Sequence, residues 1–265
     1  MKRFSFIFCL FLIVISTSCI PHRDTVYFQN KDTALDSTQI LTEKQKPYRV
    51  QINDILSVRI KVLDQENVQI FNPIGDEGSL NASGAERAYF DGFTIDLHGN
   101  IRIPTLGYLN VLGFTTVEIR EMIEKKLLEE QFKETANIFV IVKLTGFRYT
   151  ATGEVGSPGT QVLYQERLNI YEAIANVGEI TEVGNKKDVL IIRQYPQGQK
   201  IHHLDLTDIN VMRSPYYFIQ PNDIIYVKPL KQKSLGTGKT LVESLGTIIT
   251  VLSLVTTSIL LFTRL

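Results

Sequence analysis

One stretch decides the fold: Gln51-Ile52-Asn53-Asp54-Ile55-Leu56-Ser57-Val58, whose order returns as Gln220-Pro221-Asn222-Asp223-Ile224-Ile225-Tyr226-Val227. The Asn-Asp pair favours a turn, because both side chains tolerate left-handed backbone and bond to their own main chain. The alternating apolar residues that follow predict a strand. The two copies are too far apart along the chain for a solenoid repeat. We therefore expect the same strand-turn-strand device once in each of two domains.

The first copy opens a predicted domain at residues 47–145. A hairpin is predicted at residues 93–104, with its turn at His98-Gly99-Asn100. Thr115 and Glu118 have the spacing of a capping box, which predicts the start of a helix. A nearly continuous apolar strand follows that helix. The order strand, helix, strand predicts an α+β fold for this domain.

A second domain is predicted at residues 146–230. It begins with a strand at Tyr149–Val155 and continues with a short helix at Ile170–Val177, where Gly178 occupies the expected stop position. A hairpin follows, and the second Asn-Asp copy closes the domain. A small mixed sheet crossed by one helix is a β-grasp-like plan.

The first eighteen residues have the pattern of a secretory signal. Lys2 and Arg3 precede an apolar run from Phe4 to Ile15, which the small residues 16–18 close. The run is too short to cross a hydrocarbon core, which needs about 20 residues. We expect residues 1–18 to be removed as a signal peptide.

Cys19 is the predicted lipidation site. The stretch Ile15-Ser16-Thr17-Ser18-Cys19 resembles the lipobox of bacterial lipoproteins, in which the cysteine is acylated and becomes the new N-terminus. The other cysteine, Cys9, lies inside the signal, so the processed chain has no possible disulfide within it. The alternative is that Cys19 stays a free thiol in a secreted protein. The polar residues 19–46 are expected to be a lipidated tether.

The charge balance argues against nucleic acid as a partner. Without Lys2 and Arg3 the chain has 26 basic and 28 acidic residues. The sequence contains no basic stretch interleaved with aromatic residues, which is the usual pattern of a nucleic-acid-binding surface.

The C-terminal part predicts a transmembrane amphipathic α-helix at residues 240–263, after a linker at residues 231–239. Residues 244–263 carry no charge, and about 20 residues suffice to span a bilayer. On a helical wheel the hydroxyl-bearing positions gather on one half. The expected pore-lining residues are Thr240, Glu243, Thr247, Thr250, Ser253 and Thr257. The expected lipid-facing residues are Leu245, Ile248, Ile249, Leu252, Val255 and Ile259. The alternative is a lone membrane helix whose hydroxyls bond to carbonyls of its own preceding turn.

No catalytic, cofactor-binding or metal-binding residue is predicted. The histidines are His22, His98, His202 and His203, and their spacing does not make a metal site. Asp54 and Asp223 are conceivable as the paired carboxylates of a glycosidase, but turn chemistry explains both. Glu154 is either an interface or ligand residue or a solvated carboxylate at a strand edge.

Four segments together resemble the outer-membrane polysaccharide export family, the Wza-like capsule translocons. They are Tyr48–Val58, Asp96–Gly107, Gly153-Glu154-Val155 with Pro158-Gly159, and Asn222–Val227. Each segment is a weak signal alone, since turns of this kind are common between strands. Their order and spacing indicate the family over nearly the whole processed chain.

The resemblance implies a polysaccharide-export domain and one soluble-ligand-binding β-grasp (SLBB) domain, two small mixed α/β domains followed by the membrane helix. It implies a lipid-anchored outer-membrane protein of a Gram-negative-type bacterium, with its body in the periplasm. Its copies would form a ring homo-oligomer that exports capsular polysaccharide or exopolysaccharide. An inner-membrane polysaccharide co-polymerase or tyrosine kinase is the implied partner.

Two other functions remain open on sequence grounds. One is a non-channel periplasmic lipoprotein that binds a glycan and is held by its lipid and its C-terminal helix. The other is a lipid-anchored glycan hydrolase, for which no pair of carboxylates is evident. A transporter without enzymatic activity is the expected function.

Overall fold

The computed structural model describes most of the chain in two compact units. The described residues are 21–31, 47–62, 89–131, 138–195, 197–234, 246, 249–250 and 252–257. The first unit consists of residues 44–148 and 162–168. The second unit consists of residues 1–43, 149–161 and 169–265.

The described part of the first unit includes a three-stranded antiparallel sheet, a separate hairpin and a long helix. Its elements are β1 (Ile55–Val62), β2 (Phe93–Thr94), β3 (Asn100–Ile103), β4 (Gly107–Asn110), α1 (Thr116–Glu130) and β5 (Ile138–Leu144). The sheet has the order β2-β1-β5, and β3 pairs with β4. Apolar side chains of both strand groups and of α1 share one buried core. This arrangement is the α+β fold that the sequence predicts.

Helix α1 begins at the capping box that the sequence predicts. The Thr115 hydroxyl accepts from the Glu118 amide, and the Glu118 carboxylate accepts from the Thr115 amide. Three side chains of one helix face, Ile119, Ile123 and Leu127, are fully buried. The helix is thus fixed by its first turn and by the apolar spacing that follows.

The predicted hairpin at residues 93–104 is wrong in its pairing. The turn near His98 exists, since the Asn100 amide donates to the Asp96 carboxylate at 2.8 Å. The strands on its two sides nevertheless join different partners: β2 pairs with β1, and β3 pairs with β4 across Pro104–Leu106. A local turn signal specifies a change of direction, whereas the choice of partner depends on distant residues.

The second unit contains a mixed five-stranded sheet packed with the helix Ile170–Asn176. Its elements are β6 (Phe147–Gly153), β7 (Gly159–Leu163), α2 (Ile170–Asn176), β8 (Gly184–Tyr195), β9 (Gly198–Leu204) and β10 (Ile224–Pro229). The sheet order is β7-β6-β10-β8-β9. Strand β10 runs parallel to β6 and antiparallel to β8. The mixed sheet with one helix matches the β-grasp-like plan, although β6 begins and β7 ends in residues that belong to the first unit.

Helix α2 is specified at both ends by its sequence. Asn169 and Glu172 form a capping box at its start. At its end Gly178 has a φ of +77°, which glycine adopts without strain, and occupies the predicted stop position. The buried Tyr149 hydroxyl donates to the Ala173 carbonyl at 2.7 Å and so joins β6 to the helix.

The segment at residues 21–31 differs from the predicted tether, because it packs on the second unit. The Gln29 amide donates to the Thr207 carbonyl at 2.7 Å, and the Lys186 ammonium lies 4.1 Å from the centre of the Tyr27 ring. The Phe28 and Tyr171 rings lie 4.3 Å apart. Tyr27 and Phe28 give this polar stretch enough apolar surface to pack on the second unit. Residues 32–46 lie outside the described ranges.

The predicted linker at residues 231–239 begins as a helical turn, α3 (Lys231–Ser234). The Leu230 amide donates to the Val183 carbonyl at 2.7 Å, and the Lys233 ammonium pairs with the Glu154 carboxylate. The start of this segment is therefore held by the second unit. Residues 235–239 lie outside the described ranges.

Candidate functional site

The C-terminal helix is described at residues 246, 249–250 and 252–257. Three expected pore-lining residues lie there and are exposed: Thr250, Ser253 and Thr257. Three expected lipid-facing residues also lie there and are exposed: Ile249, Leu252 and Val255. Exposure in a single chain therefore does not separate the two faces. The other predicted positions, Cys19, Thr240, Glu243, Leu245, Thr247, Ile248 and Ile259, lie outside the described residues.

The hydroxyls of this helix donate to carbonyls of their own helix. Thr250 donates to the Gly246 carbonyl at 2.8 Å, and Thr257 donates to the Ser253 carbonyl at 2.6 Å. These bonds satisfy the hydroxyl donors locally, as the lone-helix alternative expects. Each hydroxyl oxygen keeps acceptor capacity, so the bonds are compatible with a water-facing surface as well.

A membrane-spanning helix is not found among the residues that the structure describes. None of the helices in those ranges is both long and apolar enough to cross a bilayer.

The first Asn-Asp turn places a carboxylate over its own backbone. Asn53 has a φ of +69°, and the Asp54 amide donates to the Gln51 carbonyl at 3.2 Å. The Asp54 carboxylate accepts from the Gln51 amide at 2.8 Å and from the Tyr48 hydroxyl at 2.6 Å. Strand β1 begins directly after this closed turn.

The second Asn-Asp turn has the same backbone and a different partner. Asn222 has a φ of +67°, and the Asp223 carboxylate accepts from the Gln220 amide at 2.7 Å. It also accepts two bonds from Arg193, at 2.9 Å from Nε and 2.7 Å from a terminal nitrogen. The side chains of Arg193 and Asp223 are only 5% and 1% exposed.

Burial and pairing act in opposite directions on this ion pair. Burial raises the pKa of Asp223, whereas Arg193 lowers it. Burial also opposes the charged form of Arg193, but the bonds to Asp223 outweigh it and raise the pKa of the guanidinium. The bidentate geometry favours the ionised pair.

The two aspartates have turn roles of their own. The Asp54 carboxylate holds the first turn, and the Asp223 carboxylate holds the second. Turn chemistry therefore accounts for both, as the sequence indicates. Arg193 was not predicted. Its position, as the one charge after the apolar run 189–192, is the signal that points to a buried partner.

Glu154 is not a solvated edge carboxylate in the described structure. Its side chain is 13% exposed and accepts from the Thr181 hydroxyl at 3.0 Å. Together with its pairing to Lys233, this contact gives Glu154 a structural role at the start of the C-terminal segment.

The adjacent histidines His202 and His203 point to opposite faces of the sheet, as predicted. The His202 ring stacks on the Tyr216 ring with centres 3.7 Å apart and lies 3.2 Å from the Tyr195 hydroxyl. His203 instead contacts the Asp188 carboxylate. Burial, and then the charge of Arg193, lowers the pKa of His202. Within the described ranges, no group of three or more potential ligands could hold a metal ion.

The first unit contains a cleft of about 700 Å³ that the sequence did not reveal. Val142 and Phe147 supply buried apolar lining. The Tyr164 side chain borders the cleft and is 68% exposed. A cleft of this volume lies within the range of about 300–1,000 Å³ that is typical of small-molecule sites.

Two ion pairs line the rim of this cleft. Arg49 pairs with Glu118 at 3.2 Å, and Lys143 pairs with Glu166 at 3.2 Å. The pKa of Glu118 is lowered, mainly because the Thr115 amide donates to its carboxylate, with a further contribution from Arg49. The rim thus presents both signs of charge in equal number.

Gly146 explains how Tyr164 comes to lie at the cleft. A Cβ atom at position 146 would be 2.7 Å from Cγ1 of Val162, closer than real side chains approach. The absence of that atom lets the segment that carries Tyr164 pack against the end of the first unit's sheet. The sequence signal for this close approach is one glycine between two strands, which does not identify its partner.

Comparison with known proteins identifies both parts of the chain. Residues 42–143 match the family described as "Polysaccharide biosynthesis/export protein", and residues 148–227 match the SLBB domain. The chain is therefore similar to the polysaccharide export family over its first domain and to SLBB domains over its second. This confirms the resemblance drawn from the four sequence segments. Proteins of this family are transport proteins, which agrees with the expectation that the chain is not an enzyme.

Two curated relatives of the export family are named "EPS I polysaccharide export outer membrane protein EpsA". The one from Ralstonia nicotianae (strain ATCC BAA-1114 / GMI1000) is 27% identical over 158 residues, which is 58% of this chain and 40% of the relative. The one from Ralstonia solanacearum is 28% identical over 148 residues, 55% of this chain and 38% of the relative. The match therefore covers about two fifths of the length of each relative.

Proposed function

We propose that the chain is a subunit of an outer-membrane channel that exports capsular polysaccharide or exopolysaccharide. The observation that carries the proposal is the succession of an export domain and an SLBB domain in one chain similar to outer-membrane export proteins. In this proposal Cys19 is acylated, the body lies in the periplasm, and several copies form a ring.

The C-terminal helix forms the membrane conduit in this proposal. A ring of identical helices would turn Thr250, Ser253 and Thr257 towards water and Leu252 towards lipid. Such a ring satisfies the backbone of every helix internally, as a bilayer requires. Neutral hydroxyls offer a sugar polymer many weak and exchangeable hydrogen bonds. An inner-membrane polysaccharide co-polymerase or tyrosine kinase is the proposed partner that delivers the polymer.

Deletion of the gene tests the export function. The deletion strain is expected to lose surface polysaccharide, and the full-length protein supplied from a plasmid is expected to restore it. Cys19→Ala is expected not to restore it, because a chain without the acylated cysteine should stay unprocessed or be mislocalised. Normal surface polysaccharide in the deletion strain would contradict the proposal. End-on electron-microscopy images of the detergent-extracted protein test the ring.

Cysteine labelling tests the two faces of the helix. Thr250→Cys is expected to react with a water-soluble maleimide in intact cells, whereas Leu252→Cys is expected to react at least tenfold more slowly. The processed, acylated chain offers no competing thiol. Equal labelling of the two variants would contradict a pore-lining stripe and leave a simple anchor.

A second candidate is a non-channel lipoprotein that binds a glycan and uses the helix as an anchor. It is favoured by one observation, the bonding of the Thr250 and Thr257 hydroxyls within their own helix. A protein that stays monomeric after gentle extraction would support this candidate against the ring.

A further inference from the structure

We propose that the cleft of the first unit is a binding site for a short neutral segment of the exported polysaccharide, with Tyr164 as its stacking surface. The inference rests on the proposed export function and adds a site to it. The site is defined by the exposed Tyr164 ring, the buried Val142 and Phe147 side chains, and the two ion pairs of the rim.

The aromatic ring supplies the apolar part of the recognition. Tyr164 is 68% exposed, and Val117, which also lines the cleft, is 55% exposed. Sugar rings have apolar faces of C–H groups and polar edges of hydroxyls. A flat, rigid tyrosine ring offers a large contact area at low entropic cost, because it has only two side-chain torsions. An exposed tyrosine beside an apolar cleft is therefore suited to stack with a sugar face.

The charges of the rim favour a ligand without net charge. Arg49 with Glu118 and Lys143 with Glu166 place two cations and two anions around the same cleft. An anionic ligand would meet both carboxylates, and a cationic one would meet both basic groups. A sugar hydroxyl both donates and accepts, so a polyol can bond to carboxylates and to basic groups at once. The guanidinium and carboxylates are planar groups that can engage neighbouring hydroxyls in pairs.

The site is held by rigid elements of the first unit. Glu118 and Thr115 belong to the capping box of α1, and Val142 and Lys143 lie on β5. The segment that carries Tyr164 passes close to Gly146, at the end of β5. Preorganised side chains lose little freedom on binding, which is an advantage for a weak contact repeated along a polymer.

The test measures binding of oligosaccharides to the detergent-extracted full chain. The probe is a size-fractionated mixture obtained by partial acid hydrolysis of the host's own exopolysaccharide. Tyr164→Ala is expected to weaken binding at least tenfold in a calorimetric titration. Glu166→Ala is expected to weaken it several-fold. The matched control is Tyr108→Ala, because Tyr108 is 66% exposed in the same unit and does not line the cleft. Its affinity is expected to stay within twofold of that of the wild type.

Two results would overturn the inference. Unchanged oligosaccharide affinity of Tyr164→Ala, with a normal melting temperature, would show that the cleft does not bind the polymer. Dissociation of the protein assembly by Tyr164→Ala, at unchanged affinity per chain, would show that the cleft holds a second copy of the chain instead.

Export assays separate failure of this inference from failure of the proposed function. If Tyr164→Ala keeps its oligosaccharide affinity in a strain whose export depends on the gene, the binding site is refuted and the export function stands. Normal export in the gene-deletion strain would contradict the proposed export function itself.

Discussion

The two Asn-Asp turns have the same backbone but differ in the group that meets their aspartate. The φ values of Asn53 and Asn222 are +69° and +67°, and each aspartate accepts from the amide three residues earlier. Asp54 then meets a phenol from the same stretch of chain, whereas Asp223 meets the buried guanidinium of a distant strand. Local sequence therefore sets the turn, and a distant residue sets how strongly the turn is tied to the fold.

The difference has an energetic consequence. Removal of Asp54 leaves the Tyr48 hydroxyl and the Gln51 main-chain amide, which are neutral donors. Removal of Asp223 leaves a positive charge that is 5% exposed. An unpaired buried charge is far more destabilising than an unpaired neutral group. The four predictions that follow rank the two turns by this criterion.

The largest effect is expected for Asp223→Ala. The free energy of unfolding should fall by about 3–5 kcal/mol, because the buried guanidinium of Arg193 loses the carboxylate with which it pairs. Urea denaturation of the detergent-solubilised chain measures this change. The control is the double variant Arg193→Met with Asp223→Ala, which removes both charges and should be clearly more stable than the single variant. Equal loss in both variants would contradict a dominant role of the unpaired charge.

A smaller loss is expected for Asp54→Ala, about 1–3 kcal/mol, since it leaves only neutral donors without their acceptor. The same urea measurement applies. Tyr48→Phe removes one of the two bonds and should lose less than Asp54→Ala. A loss as large as that of Asp223→Ala would show that the two turns are equivalent after all.

The asparagines should behave alike in the two turns. Asn53→Ala and Asn222→Ala are each expected to lower the free energy of unfolding by about 1–2 kcal/mol, because alanine is strained in left-handed backbone. The glycine variants at the same positions should stay close to the wild type. Thermal melting of the four variants measures this. A loss of stability in only one of the two turns would contradict the prediction that the two backbones behave alike.

The smallest effect concerns pH and belongs to the second unit, where His202 lies on β9. The pKa of His202 is lowered from its ordinary value of 6.5, so the folded protein binds fewer protons than the unfolded chain below about pH 6.5. Stability should therefore decrease as the pH falls below 6.5. His202→Phe should flatten this decrease while it keeps a ring against Tyr216. Urea denaturation midpoints at pH 7.5 and 5.5 measure this loss of stability. If the midpoint falls equally in His202→Phe and in the wild type, His202 is not the group responsible.

Helix ends and the repeated turns were predictable because their signals are local. The capping box of Thr115 and Glu118 and the stop at Gly178 depend on residues within one helical turn. The pairing of β3 with β4 was not predictable from the turn at His98, because both neighbouring strands are competent partners and the core decides between them.

The missed features all depend on contacts between distant residues. Arg193 and Asp223 are 30 residues apart, and no local rule joins them. The cleft arises where Tyr164 approaches Gly146, and the polar composition of residues 21–31 concealed the aromatic contact between Phe28 and Tyr171. Long-range packing, which a single sequence does not encode as a pattern, produced each of them.

The docked N-terminal segment has a mechanical consequence. The Thr25 carbonyl accepts from the Lys186 ammonium at 2.8 Å, and Thr25 follows Cys19 by six residues, which span at most about 20 Å. With Cys19 acylated as proposed, this short connection would keep the second unit close to the acylated residue. A pull on the acyl chains would load the hydrogen bond between Gln29 and Thr207 and the contact of Tyr27 with Lys186 within a few residues. The lipid anchor would then limit the distance between the second unit and the membrane.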